Sequence, residues 1–134
     1  MAWLRRGVIA VCIAGSFAGA APAQESGFPF DSELVLDTAP MRGSRKIPNM
    51  DVAADGAIAM EMWCNRVEGQ FVVAADTVTV LTGQQTQRQC PPERLAGDEQ
   101  LLAALAQVTG WRRHGDTLEL LGGQRPLKFR VPTN

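Results

Sequence analysis

Residues 49–71, NMDVAADGAIAMEMWCNRVEGQF, hold two alternating segments joined by Asp55-Gly56, followed by a cysteine-anchored corner. A two-residue Asp-Gly link between segments of period two marks a β-hairpin, because the tight turn needs positive φ at both central positions. Met50 and Val52 share one face of the first arm. Ile58, Met60 and Met62 share the register-matched face of the second. Methionines in such places either line a ligand cavity or fill core gaps, and gap-filling is the commoner use.

Beyond Cys64-Asn65-Arg66 a second hairpin follows, with Gln70–Ala74 and Thr77–Leu81 as its arms. Val78 and Val80 point one way and Thr77 and Thr79 the other, a half-buried pattern rich in β-branched residues. Thr82-Gly83 reads as a turn, residues 84–90 (QQTQRQC) as a polar, weakly strand-like stretch, and Pro91-Pro92 as its stop. One segment has a helical period. From Asp98, the spacing of Leu101, Leu102, Leu105 and Val108 builds a single apolar stripe. Asp98 is placed to cap the helix or favour its dipole, Gly110 to stop it, and Pro92–Ala96 to form a preceding turn with Gly97 as a weak point. The helix is therefore expected near residues 93–109. Two further hairpin links, Gly115-Asp116 and Gly122-Gly123, separate strands over 111–114, 117–121 and 127–131.

Upstream, Glu33–Asp37 alternates as a first strand, and residues 38–48 form a connection carrying Arg42, Arg45 and Lys46. Scattered charges of this kind suit solvent better than an anionic partner. Residues 24–32 read as a flexible lead-in. Residues 1–23 have a basic start at Arg5-Arg6, an apolar run and Ala21-Pro22-Ala23, the pattern of a cleavable signal peptide. The run is too short and too diluted by glycine and serine for a membrane anchor. The domain then spans 33–134. It is mainly β: a small antiparallel β-barrel-like meander of about eight strands with one helix, closed so that no strand edge is left open.

Signal removal leaves 111 of the 134 residues, one domain in size. The 13 basic residues lose Arg5 and Arg6 while all 14 acids stay, moving the net charge from −1 to −3. That gives no electrostatic reason to bind nucleic acid, and no membrane insertion is expected after cleavage. Cys12 leaves with the signal, so Cys64 and Cys90 remain as a pair. In an oxidising compartment such a pair forms a disulfide, worth roughly 3 kcal/mol over this loop. The competing reading is a reactive thiol, which lacks a Cys-x-x-Cys partner and has only the distant His114 to activate it.

Several motifs in order now give a resemblance. Cys64-Asn65-Arg66 with Gly69-Gln70-Phe71, Thr86 with Cys90-Pro91, Glu99-x-x-Leu102-x-x-Leu105, Gly115-Asp116-Thr117-Leu118-Glu119-Leu120 and Leu127-x-Phe129 together resemble the META, or HslJ-like, domain of bacterial envelope and secreted proteins. Trp63 departs from the family's glycine, Thr86 and Cys90 stand one residue further apart than usual, and the early tryptophan strand is poorly matched. Over residues 33–131 the resemblance implies a barrel-like domain with one helix, an envelope location, no established enzymatic mechanism and pairing of Cys64 with Cys90.

Asn65, Arg66 and Trp63 form the candidate binding surface. Their structural alternatives are a turn-capping Asn65, an Arg66 paired with Glu68, and Trp63 and Trp111 packed as core rather than as a sugar- or peptide-stacking platform. No catalytic residue, metal site or cofactor is expected, since one histidine and two distant cysteines make no ligand set and no phosphate loop is present. The expected role is a non-enzymatic periplasmic or secreted protein that supports envelope maintenance or stress tolerance by binding an envelope protein or other envelope component. An inhibitor of a secreted hydrolase, of protease or lysozyme type, is the alternative.

Overall fold

The computed structural model describes Gly15 and residues 27–132. The signal peptide expected over residues 1–23 lies outside them but for Gly15. In chain order the elements are β1 (Ser32–Leu36), β2 (Asn49–Val52), β3 (Ala57–Glu61), β4 (Arg66–Ala74), β5 (Thr77–Gln85), α1 (Pro92–Ala106), β6 (Gly110–His114), β7 (Thr117–Leu121) and β8 (Leu127–Arg130). Each strand pairs antiparallel with the next. β8 returns to β1, with Val35 opposite Arg130 and Leu36 opposite Phe129, so the sheet closes as an eight-stranded barrel. Among the described residues the chain adopts the expected antiparallel barrel with one helix.

Strand alternation sorts the side chains. Leu34, Met50, Met60, Phe71, Leu118 and Phe129 are fully buried inside, and Met62 joins them from the corner after β3. Each contributes roughly 1.5–3 kcal/mol by leaving water. The methionines of the first hairpin are thus core.

The Asp55-Gly56 link is not the two-residue turn the sequence suggests. Ala53 N–H donates to Ala57 O at 2.8 Å and Gly56 N–H donates to Ala53 O at 3.0 Å, enclosing a three-residue loop. Only Gly56, at φ 86°, takes positive φ there. A turn that leaves Asp55 in ordinary conformation and puts the left-handed residue last needs one glycine rather than two permissive residues.

Thr82-Gly83 does not turn the chain either. β5 runs on to Gln85, with Thr82 opposite Gly69 and Gln85 opposite Val67, so it advances three residues where β4 advances two. That is a β-bulge. Gly83 fits it because a Cβ there would stand 3.3 Å from Glu68 O.

α1 begins six residues before Asp98. Pro92 occupies its first turn and Pro91 is the N-cap residue, so residues 92–96 are helix and not a separate turn. Proline at that place loses no hydrogen bond, because the first N–H groups of a helix have no partner inside it. The helix ends at Ala106, with Gln107 N–H donating to Ala104 O, and Gly110 starts β6 instead of stopping the helix. Leu101 and Leu105 enter the core as the stripe predicts, joined by Val108 just past the helix. The helix is inserted at the thinnest seam. β5 and β6 pair only through Thr77 and Gly110, supported by Val78 N–H to Thr109 O and Trp111 N–H to Asp76 O.

Residues 27–31 are more than a lead-in. Phe28 is buried in the core cluster, edge-on to Phe71 at 5.1 Å and to Trp111 at 5.2 Å. Arg113 Nη1 donates to Gly27 O at 3.2 Å, tying the start of this segment to β6. Composition pointed to a flexible lead-in; the segment has no regular structure, but one buried aromatic anchors it to the core.

Candidate functional site

The corner between β3 and β4 is a tight reversal, closed by Met62 N–H donating to Asn65 O at 2.8 Å. It turns two successive backbone N–H groups the same way. Cys64 N–H donates to Asp98 Oδ1 at 3.0 Å and Asn65 N–H to Asp98 Oδ2 at 2.7 Å, so one carboxylate fills both. Such paired N–H groups form a small anion cradle, and a charged acceptor makes each bond stronger than a neutral one. Asp98 is buried in mid-helix and acts as the receptor for this corner, not as a cap.

Asn65 is also buried, at 6% exposure. Its Oδ1 accepts Thr86 Oγ1–H at 2.9 Å and Arg88 N–H at 2.7 Å, and Thr86 Oγ1 in turn accepts Arg66 N–H at 3.0 Å. The asparagine therefore pins the chain that leaves β5. Cys64 and Cys90 complete the arrangement as a disulfide, their Cα atoms 6.0 Å apart, well within the reach of such a bridge. Corner, outgoing strand and helix are fastened to one another within a few residues.

Arg66 is exposed and pairs with Glu61 at 3.6 Å rather than with Glu68. The two face each other across the β3–β4 ladder, whereas Glu68 lies two residues along the same strand. Glu61 also binds Arg88 Nη1 at 3.1 Å and Lys46 Nζ at 3.4 Å. Burial alone would raise the Glu61 carboxyl, but the hydrogen bonds and positive charges of Arg88 and Lys46 outweigh it and hold the group below its ordinary range.

The two candidate aromatics have separate surroundings. Trp63 and the Met41 methyl lie over Gly97, where a Cβ would collide with both. Trp111 donates Nε1–H to Ala75 O at 2.8 Å and packs on Phe28. Both are partly buried against the core, so no shared stacking platform forms. Trp63 thus supports the corner from behind, while Asn65 and Arg66 face the β5 tail.

Two concavities mark the surface, the smaller of them bordering this corner. A cleft of about 330 Å³ lies between the β5 tail and α1, lined by Asn65, Gln85, Thr86, Gln87, Arg88, Leu95, Asp98, Glu99 and Leu102. A wider groove of about 650 Å³ crosses β1–β4, with Ala57, Ala59 and Gly69 in its lining and Asp31, Glu33, Asp51 and Glu68 among them. On the far side of the barrel Glu119 lies between Arg112 and Lys128 in the β6–β7–β8 ladder. The Arg112 hydrogen bond holds its carboxyl below the ordinary range despite burial, helped by the charges of Arg112, Lys128 and His114. Among the described residues no three His, Cys, Asp or Glu side chains stand together as a metal set.

Sequence reasoning placed Asn65, Arg66, Cys64 and Cys90 in one region and missed Asp98, Arg88 and Glu61. Asp98 carried a signal: it lies on the same helical stripe as Leu101 and Leu105, and a carboxylate on a buried stripe needs donors.

A family profile for the META domain matches residues 30–133. The chain belongs to the META domain family. A solved structure, titled "NMR structure of the protein", superposes with a TM-score of 0.59 at 14% identity, covering 75% of this chain and 89% of that one. At that identity it supports the fold alone. A search of curated proteins returns no match. No helix among the described residues of this META domain is long and apolar enough to cross a membrane.

Proposed function

We propose that this META domain is an exported, non-enzymatic binding protein that serves envelope maintenance or stress tolerance by holding another envelope component. One observation carries the reading. The chemistry of the signature corner is spent on structure: Asp98, Asn65, Thr86 and the Cys64–Cys90 bridge satisfy one another. The result is a rigid rim around the open cleft between the β5 tail and α1. Rigidity at a rim favours binding because little freedom remains to be lost. The bridge also suits an oxidising compartment.

The test is a cross-linking pull-down from envelope extract with the oxidised chain and with an Arg66→Ala/Gln87→Ala chain. A component held by the first and lost by the second is the expected result. Identical captures by both retire this rim, and no specific capture by either retires the binding reading.

The inhibitor alternative draws on the acidic groove. Its four carboxylates suit the basic surface of a cationic hydrolase. Under that reading, micromolar domain slows such an enzyme, and Asp51→Asn/Glu68→Gln restores the rate. An unchanged rate with the unmodified domain removes it.

A further inference from the structure

Glu61 is shared by three cations drawn from separate parts of the chain. Lys46 comes from the β1–β2 connection, Arg66 from β4 and Arg88 from the tail of β5, with nitrogens 3.4, 3.6 and 3.1 Å from its carboxylate. Among the described residues no other carboxylate lies within ion-pair reach of any of the three. One negative charge against three positive leaves two uncompensated at one spot, on a chain whose net charge is −1. The network on the far side of the barrel is more nearly balanced, with Glu119 between only Arg112 and Lys128.

Stability does not account for the third cation. An exposed ion pair contributes little, and each cation added after the first is drawn by one carboxylate and repelled by the cations already there. The fold nevertheless fixes the backbone beneath all three. Arg66 stands opposite Glu61 in the β3–β4 ladder, Arg88 N–H is tied to Asn65 Oδ1 two residues before the bridged Cys90, and Lys46 N–H donates to Ser44 Oγ at 3.1 Å. Donors stay open to solvent. The Arg66 guanidinium makes no hydrogen bond among the described residues, and Arg88 uses only Nη1, to Glu61 and to Cys64 O at 3.4 Å.

We propose that Lys46, Arg66 and Arg88 together bind a phosphate monoester. Such a group carries close to two negative charges at neutral pH, which matches the surplus. Its oxygens accept from the open guanidinium forks and from the ammonium, with Glu61 holding the three heads close together. A carboxylate is the poorer match, since it brings a single charge. Nucleic acid is poorer too, because it needs a longer basic track and the chain around these side chains is acidic overall. Lys46, which reads in the sequence as one of several solvated charges, is placed by the fold beside two arginines it does not neighbour in sequence. This inference deepens the binding reading, by naming what the envelope component presents, and rests on it.

The test is titration of the oxidised, isotope-labelled chain with glycerol phosphate at constant ionic strength. The expected result is saturable shift changes centred on Lys46, Glu61, Arg66 and Arg88, which acetate at the same ionic strength does not reproduce. Lys46→Gln/Arg66→Gln is expected to weaken binding roughly tenfold or more. Arg125→Gln/Lys128→Gln removes the same charge from exposed positions elsewhere and is expected to leave affinity within about twofold. If the first pair unfolds the chain, Arg66→Gln alone carries the decision. Equal losses from both double variants, or shift changes centred on another face, overturn the proposal. Sedimentation with vesicles of phosphatidic acid in phosphatidylcholine, against phosphatidylcholine alone, separates a lipid headgroup from a soluble ester as the source, and either source supports it. No saturable shift with glycerol phosphate and no sedimentation beyond the control overturn it, while a specific capture in the envelope pull-down then leaves the binding reading standing.

Discussion

Asp98 shows how one side chain decides a local structure that no propensity would give. Its two oxygens hold the N–H groups of Cys64 and Asn65, which the reversal at the signature corner turns toward it. Asp98→Ala strands two buried donors, each costing about 1–3 kcal/mol when left unpaired. A loss of at least roughly 2 kcal/mol is expected in urea unfolding, with the denaturant slope unchanged. A loss within about 0.5 kcal/mol, the range of an ordinary surface change, would mean that water replaces the carboxylate. At this scale the sequence was legible where chemistry is local. Asn65 as a turn residue and Cys64–Cys90 as a pair both follow from residue type and cysteine count. The Asp98 contact joins positions more than thirty apart, and only its place on the buried helical stripe hinted at it.

Strands and helix differ in how far their own residues specify them. The period-two segments fold as expected, because one buried face fixes both register and orientation. Ends and irregularities do not follow from period. Gly83 signals a bulge as readily as a turn, and Pro92 starts α1 as readily as it stops a strand. Gly97 separates the two levels of argument by sign. Helix propensity alone predicts that Gly97→Ala gains about 1 kcal/mol. Packing predicts a loss of about 1–3 kcal/mol, because the added methyl meets the Trp63 ring and the Met41 methyl. Thermal unfolding of Gly97→Ala decides between them. A lowered midpoint, with altered tryptophan fluorescence, is the expected outcome, and a raised midpoint would show that Trp63 moves aside freely.

Across the whole molecule, stability beyond the core is shared between a covalent bridge and ionic pairs on different parts of the barrel. The bridge spans a sequence separation of 26, and its reduction is expected to lower the unfolding free energy by roughly 3 kcal/mol, chiefly by freeing the unfolded chain. Reduced and oxidised chains compared at one pH check this, and equal midpoints would refute it. The ionic pairs answer to pH. Glu61 joins β3 to Lys46, Arg66 and Arg88, while Glu119 joins β7 to Arg112 on β6 and Lys128 on β8. Folding holds both carboxyls below their ordinary value of 4.5. A group whose folded pKa is depressed stabilises the fold fully above its unfolded pKa, and that contribution is lost as pH falls through the folded value. Stability from these two groups is therefore level from neutral pH down to about 5 and declines below that. Exposure of the arginines and lysines keeps each pair modest and sensitive to salt. Glu61→Gln/Glu119→Gln should start lower at pH 7, fall less steeply in acid and meet the unmodified chain once its carboxyls are protonated. Urea midpoints measured from pH 7 to 3 test this directly. Parallel curves would place the acid sensitivity in other carboxylates and leave these two networks without a measurable part in stabilising the barrel.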